Sequence, residues 1–86
     1  MMTDKEFDVM DELYFLQSFD ALAKSVVFSE NELKNVLHVL MKKGWLRSYI
    51  NPNDEIAFDE AKFEKDYHKY YYLASKEGLL AHNSNF

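Results

Sequence analysis

Cysteine is absent from this 86-residue chain, glycine occurs twice and proline once. Without cysteine there is neither a disulfide framework nor a thiolate metal site. Gly44 and Gly78 alone cannot build a phosphate-cradling loop or a dinucleotide-binding turn, and no nucleophile elbow is present. No apolar run approaches the roughly 20 residues that a membrane-spanning helix needs. The residues from Met1 to Glu6 carry acids where a secretory signal would be basic and then apolar. A cytoplasmic protein with no membrane partner is therefore expected. His38, His68 and His82 lack paired metal-ligand spacing, so neither a metal nor another cofactor is expected. Carboxylates are plentiful at Asp8, Asp11, Glu12, Asp59, Glu60, Glu64 and Asp66. Abundance on exposed helices does not make acid–base chemistry, which needs a pocket, and no enzyme activity is expected.

A general basic excess is missing too. The net charge is −5, which argues against binding nucleic acid with the whole surface. Its distribution is uneven, with −5 over residues 1–23, +3 over 24–47 and −3 over 48–86. What the chain does have is apolar content, 48%, of which a large part is aromatic. That is ample for the one core a chain of this size can build, burying roughly 60% of its unfolded surface. A single domain over residues 1–86 is expected.

Thr3 and Glu6 have capping-box spacing, and Phe7, Met10, Leu13 and Gln17 follow at steps of three or four. The spacing predicts a helix over 4–16. Ser18 can cap a second helix over 19–27, carrying Phe19, Leu22, Ala23 and Val26. One continuous helix over 4–27 is the alternative, since no glycine or proline interrupts it. Ser29 and Glu32 form another capping box ahead of a helix over 30–43, with Leu33, Val36, Leu37 and Leu40 on one face and Gly44 after its last lysines. Alternation through Leu46, Ser48 and Ile50, a turn at Asn51, Pro52, Asn53 and Asp54, and alternation again at Ile56 and Phe58 predict a hairpin over 45–58. Asp59 can cap a closing helix over 60–77, stopped by Gly78 and followed by a frayed tail over 79–86. A strand over 69–74 is the competing reading, because Tyr70, Tyr71, Tyr72 and Leu73 favour strands.

The expected fold class is thus mainly α with a small β-hairpin, in the order helix, helix, helix, hairpin, helix. The stretch Leu37, Leu40, Gly44, Trp45 and Leu46 resembles the junction between recognition helix and wing in winged-helix transcriptional regulators of the MarR and PadR kinds. The resemblance covers residues 3–58 and implies a helix-turn-helix over 18–43, with the helix over 30–43 in a DNA major groove. Asn31, Lys34, Asn35, His38 and Lys42 form a polar stripe opposite the apolar face, of types that read bases. Lys24, Lys43 and Arg47 could flank it on phosphates. Glu30, Glu32 and a wing tip without lysine or arginine oppose that use.

Phe63, Tyr67, Tyr70, Tyr71 and Tyr72 are too many aromatics for one face of one helix. At least one tyrosine must point away from the core, and the set is a candidate homodimer surface. Two functions follow. One is duplex-DNA binding as a dimeric transcription regulator. The other is a winged-helix module that binds protein through the acidic surface and the tyrosines.

Overall fold

The computed structural model describes residues 2–84, and its elements begin where side chains can cap them. Helix α1, Asp4–Glu12, starts with the predicted capping box. The Thr3 hydroxyl accepts from the Glu6 N–H at 3.1 Å, and the Glu6 carboxylate accepts from the Thr3 N–H at 2.8 Å. It ends four residues before the predicted end, where the Gln17 side-chain amide donates to the Glu12 carbonyl at 3.2 Å. Two helices, not one, then follow from a break that is itself a strand: β1, Gln17–Ser18. Ser18 caps α2, Phe19–Ser25, and Ser29 with Glu32 boxes α3, Glu30–Lys42. Gly44 has φ 76°, a left-handed backbone conformation that a residue with Cβ rarely adopts, and it turns the chain from α3 into the sheet.

The hairpin is present as β2, Leu46–Asn51, and β3, Asp54–Ile56. Its turn is held by Asn51, whose side-chain oxygen accepts from the Asn53 N–H at 3.0 Å while its amide donates to Asp54 at 2.8 Å.

Beyond residue 59 the structure departs from expectation. The helix expected over 60–77 is instead α4, Glu60–Asp66, a 3₁₀ turn, Tyr67–Lys69, and strand β4, Tyr71–Ala74. Long-range pairing overrides the helical spacing here, and the competing strand over 69–74 is the reading that matches β4. β4 lies between β1 and β2, in an antiparallel sheet of order β1-β4-β2-β3. Its register sets Tyr72 opposite both Gln17 and Ser48. Gly78 stops nothing: it lies in the first turn of α5, Lys76–Asn83, capped by Ser75. A Cβ on Gly78 would stand 2.1 Å from the Trp45 carbonyl oxygen, so the close approach of α5 to the sheet requires glycine there. The tail expected to fray is helical through Asn83, and residues 85–86 lie outside those described.

The result is a small, mixed α/β fold, with five α-helices and four strands among the described residues, rather than a mainly α one. Alternate strand positions Leu46, Ser48, Tyr72 and Ala74 are buried. They close a core with Val9, Met10, Leu13, Phe19, Leu22, Leu33, Leu37, Leu40 and Phe63 from the helices. No helix among the described residues is long and apolar enough to cross a membrane.

Candidate functional site

The polar stripe on α3 is the natural place to look for chemistry, and α4 lies across it. Lys34, His38 and Lys42 are spaced by four residues, as are Glu60 and Glu64 on α4. Each step of four rises about 6 Å along a helix, so the two rows can mesh. Lys34 Nζ donates to Glu64 Oε2 at 2.6 Å, and Lys42 Nζ lies 3.2 Å from Glu60 Oε1. His38 Nε2 stands 3.4 Å from the same Glu60 oxygen. The start of α3 thus meets the end of α4, and the two helices run in opposite senses.

Phe63 anchors this contact. It is the buried residue of α4, its ring stacks on the His38 imidazole at 5.7 Å, and Phe58 meets both rings. Tyr67 extends it: Lys34 Nζ sits 5.4 Å over the Tyr67 ring, and the Tyr67 hydroxyl donates to Glu30 at 2.9 Å. These contacts shift the groups that make them. The hydrogen bond from Lys42 holds the Glu60 carboxyl below its ordinary value, and the bond to Glu64 raises the Lys34 ammonium. The Tyr67 hydroxyl is raised by its bond to Glu30.

Of the eight residues expected to contact DNA, five hold carboxylate partners. Besides Lys34, His38 and Lys42, Lys43 donates to the buried Glu6 at 2.9 Å and covers the Trp45 ring, and Arg47 faces Glu55 at 3.7 Å. Asn31, Asn35 and Lys24 are exposed, with no ion pair among the described residues. At the start of α3, the Glu32 carboxylate is paired with Lys5 and accepts from the Ser29 N–H and hydroxyl.

The aromatic set is divided. Phe63, Tyr70 and Tyr72 are buried in the domain's own core, with Tyr70 still 7% exposed. Tyr72 donates its hydroxyl to the Tyr67 carbonyl at 2.7 Å, and burial pushes that hydroxyl far above its usual range. Tyr67 is half-buried against Phe19 and Phe63. Tyr71 does point away from the core, because strand alternation turns it to the face opposite Tyr70 and Tyr72. There it stands across from Tyr49, with Leu73 across from Arg47.

Two further features were not anticipated. A groove of about 500 Å³ runs between the hairpin and α4, lined by Ile50, Ile56, Phe58, Tyr70, Asp59, Lys62 and Asp66. At the far end of the molecule His82 on α5 is buried, stacked on Phe7 at 4.2 Å, with Nδ1 2.8 Å from the Tyr14 hydroxyl and Nε2 3.7 Å from Asp11. That cluster fastens α5 to α1. Among the described residues no group of three or more histidine or carboxylate side chains is placed to hold a metal ion. Set against family models, curated proteins and solved structures, the chain finds no match in any of the three.

Proposed function

We propose that this chain is a protein-binding module of winged-helix-like plan, in which α3 serves as a platform for α4 and does not enter a DNA groove. The plan is supported by the order of three helices and a hairpin over residues 4–56, to which β4 and α5 are additions. The functional reading rests on one observation: Lys34, His38 and Lys42 are matched by Glu60 and Glu64 from α4. A helix that reads DNA must offer its donors to base edges and its cations to phosphates. Here Lys34, His38 and Lys42 face carboxylates, so a phosphate approaching them is opposed by two acids. The net charge of −5 works in the same direction.

Fluorescence anisotropy with mixed-sequence duplex DNA across a salt series tests this. No binding is expected even at low salt. Binding that weakens steeply with salt, and that is lost in Lys34→Ala with Lys42→Ala, would overturn the reading in favour of a DNA-binding regulator. Self-association through the five aromatics is not part of this reading. With Phe63, Tyr70 and Tyr72 in the core, it would require the domain to open.

A further inference from the structure

The β3 edge and the groove beside it supply a surface to that reading. Two hydrogen bonds set the phase of the sheet: Phe19 N–H to the Tyr70 carbonyl and Ser75 N–H to the Trp45 carbonyl. In an antiparallel ladder, backbone groups of successive residues turn to opposite sides. Tyr72 therefore bonds toward β1, and Tyr71 and Leu73 toward β2. Arg47 and Tyr49 are committed to β4, which leaves Ser48 to pair with Ile56. Glu55, the next residue back, turns its N–H and C=O outward from the last strand of the sheet. Unpaired edge groups can take up another strand, and the three-residue length and two acids of β3 restrict which strand that is.

Side chains beside that edge are sorted by face. Ile56 shares the core face with Ser48, and the groove of about 500 Å³ opens there, lined by Ile50, Phe58 and Tyr70. Ile50 is 56% exposed, although it continues the buried alternation of Leu46 and Ser48. Glu55 lies on the opposite face, across from Tyr49. Around the edge the four acids Asp54, Glu55, Asp59 and Asp66 stand against the three cations Lys62, Arg47 and Lys69, a small acidic excess. Asp54 and Asp59 have no ion-pair partner among the described residues, and Glu55 and Asp66 have exposed ones at 3.7 and 3.6 Å.

We propose that this edge binds an extended peptide segment of a partner protein, alternating apolar and basic residues, as an antiparallel fifth strand beside β3. The residue paired with Glu55 lies on the face of Glu55 and is basic. Its neighbours turn to the other face and seat apolar side chains in the groove. A second copy of this chain fits poorly, because pairing β3 with β3 brings Asp54 and Glu55 of both copies into one short ladder. The proposal rests on the protein-binding reading above and names the surface for it.

The probe is a capped, fluorescein-labelled peptide of alternating valine and lysine, about nine residues long to cover a typical strand. Saturable anisotropy is expected, with amide NMR shifts confined to residues 50, 54–59, 62, 66 and 70. Ile50→Lys should weaken binding by about ten-fold or more, the worth of one seated aliphatic side chain, without moving the thermal midpoint. N-methylation at the lysines removes the amides that face Glu55 and should abolish binding. N-methylation at the valines, whose amides face solvent, should not. Equal binding by a peptide with its valines and lysines in two blocks overturns the proposal, as do shifts centred on the acids of α1 or indifference to both N-methylations. Its failure in the absence of DNA binding leaves the protein-binding reading standing, whereas salt-dependent DNA binding through Lys34 and Lys42 removes both.

Discussion

The α3–α4 face and the β3 edge lie on either side of the same short helix and are built in opposite ways. On the first, charge meets charge: Glu60 and Glu64 answer three cationic or titratable side chains, and Phe63 fills the space between. On the second, apolar side chains stand open beside Lys62 and acids, two of which have no ion-pair partner among the described residues, and the last strand turns backbone groups outward. A face whose polar groups are satisfied internally gains little from a partner. A face with exposed aliphatic area and free backbone donors and acceptors gains both. Of the stripe that draws attention in the sequence, Lys34, His38 and Lys42 are matched by α4 while Asn31 and Asn35 stay exposed, and the weak-looking hairpin is the more open surface.

Removing the anchor gives the largest contrast. Phe63→Ala deletes the buried side chain of α4 and should cost about 3–5 kcal/mol, as large-to-small aromatic changes in cores do. Urea unfolding followed by circular dichroism reads it. Ile50→Lys, on the open side, should leave the urea midpoint where it was. Equal losses from the two would mean that the hairpin edge is packed as tightly as α4 and that the contrast is wrong.

Gly78→Ala comes next. The added Cβ meets the Trp45 carbonyl oxygen at 2.1 Å and Met10 Cε at 2.8 Å, so α5 must shift or the β2 entrance must move. Overpacking of this kind typically costs about 1–3 kcal/mol. Because the contacts of α5 are concentrated on α1 and β4, the NMR signals of His38 and Phe63 should be unperturbed in this variant. Changes there would show that the two ends of the domain are coupled.

Smaller still is the double change Glu60→Gln with Glu64→Gln. Exposed ion pairs contribute little to stability, so the urea midpoint should move far less than in Phe63→Ala. The dependence of stability on salt should shrink, because part of it comes from these pairs. An unchanged salt dependence would remove the electrostatic part of the α3–α4 contact and leave Phe63 as its whole basis.

These same elements show what the sequence made legible. Both capping boxes, the Gly44 exit and the hairpin turn were readable, because each is settled within four or five residues by local hydrogen bonds. β1 was not, because two residues become a strand only by pairing with β4 across more than fifty positions of chain, and β4 was readable only as the competing strand over 69–74, since its pairing with β1 and β2 is what decides between strand and helix. Without that pairing, the spacing of Phe63, Tyr67, Tyr70 and Ala74 reads as helix. Strand alternation is also what turns Tyr71 outward, an orientation that helical reasoning demanded of some tyrosine but could not assign. The docking of α4 left a faint signal, namely the matched four-residue spacing of Glu60 and Glu64 with Lys34, His38 and Lys42. Glu64 beside other charges on one helix reads as ordinary solvated charge until α3 is placed opposite it.

Glu6 offers the finest test, because it is a buried acid on α1, a third element, held by a cation from the end of α3. Burial pushes its carboxyl up, but the Thr3 N–H and the Lys43 ammonium outweigh that, and its folded value lies below the ordinary 4.5. For a carboxyl lowered by folding, the stabilisation is present above the unfolded value and is lost as pH falls through the folded one. The urea midpoint should therefore fall as the pH drops below about 4.5, the usual carboxylate value. Glu60, lowered by Lys42, contributes to the same fall but is exposed and screened by salt. High salt should accordingly flatten the Glu60 part and leave the Glu6 part, since a pair shielded from water is screened less. Glu6→Gln keeps an acceptor for the Thr3 N–H and removes the charge facing Lys43. It should flatten the remaining acid limb at high salt, where Glu60→Gln should not. If Glu60→Gln flattens that limb instead, the α3–α4 face is the less solvated of the two contacts, and its cations are held more firmly than their exposure implies.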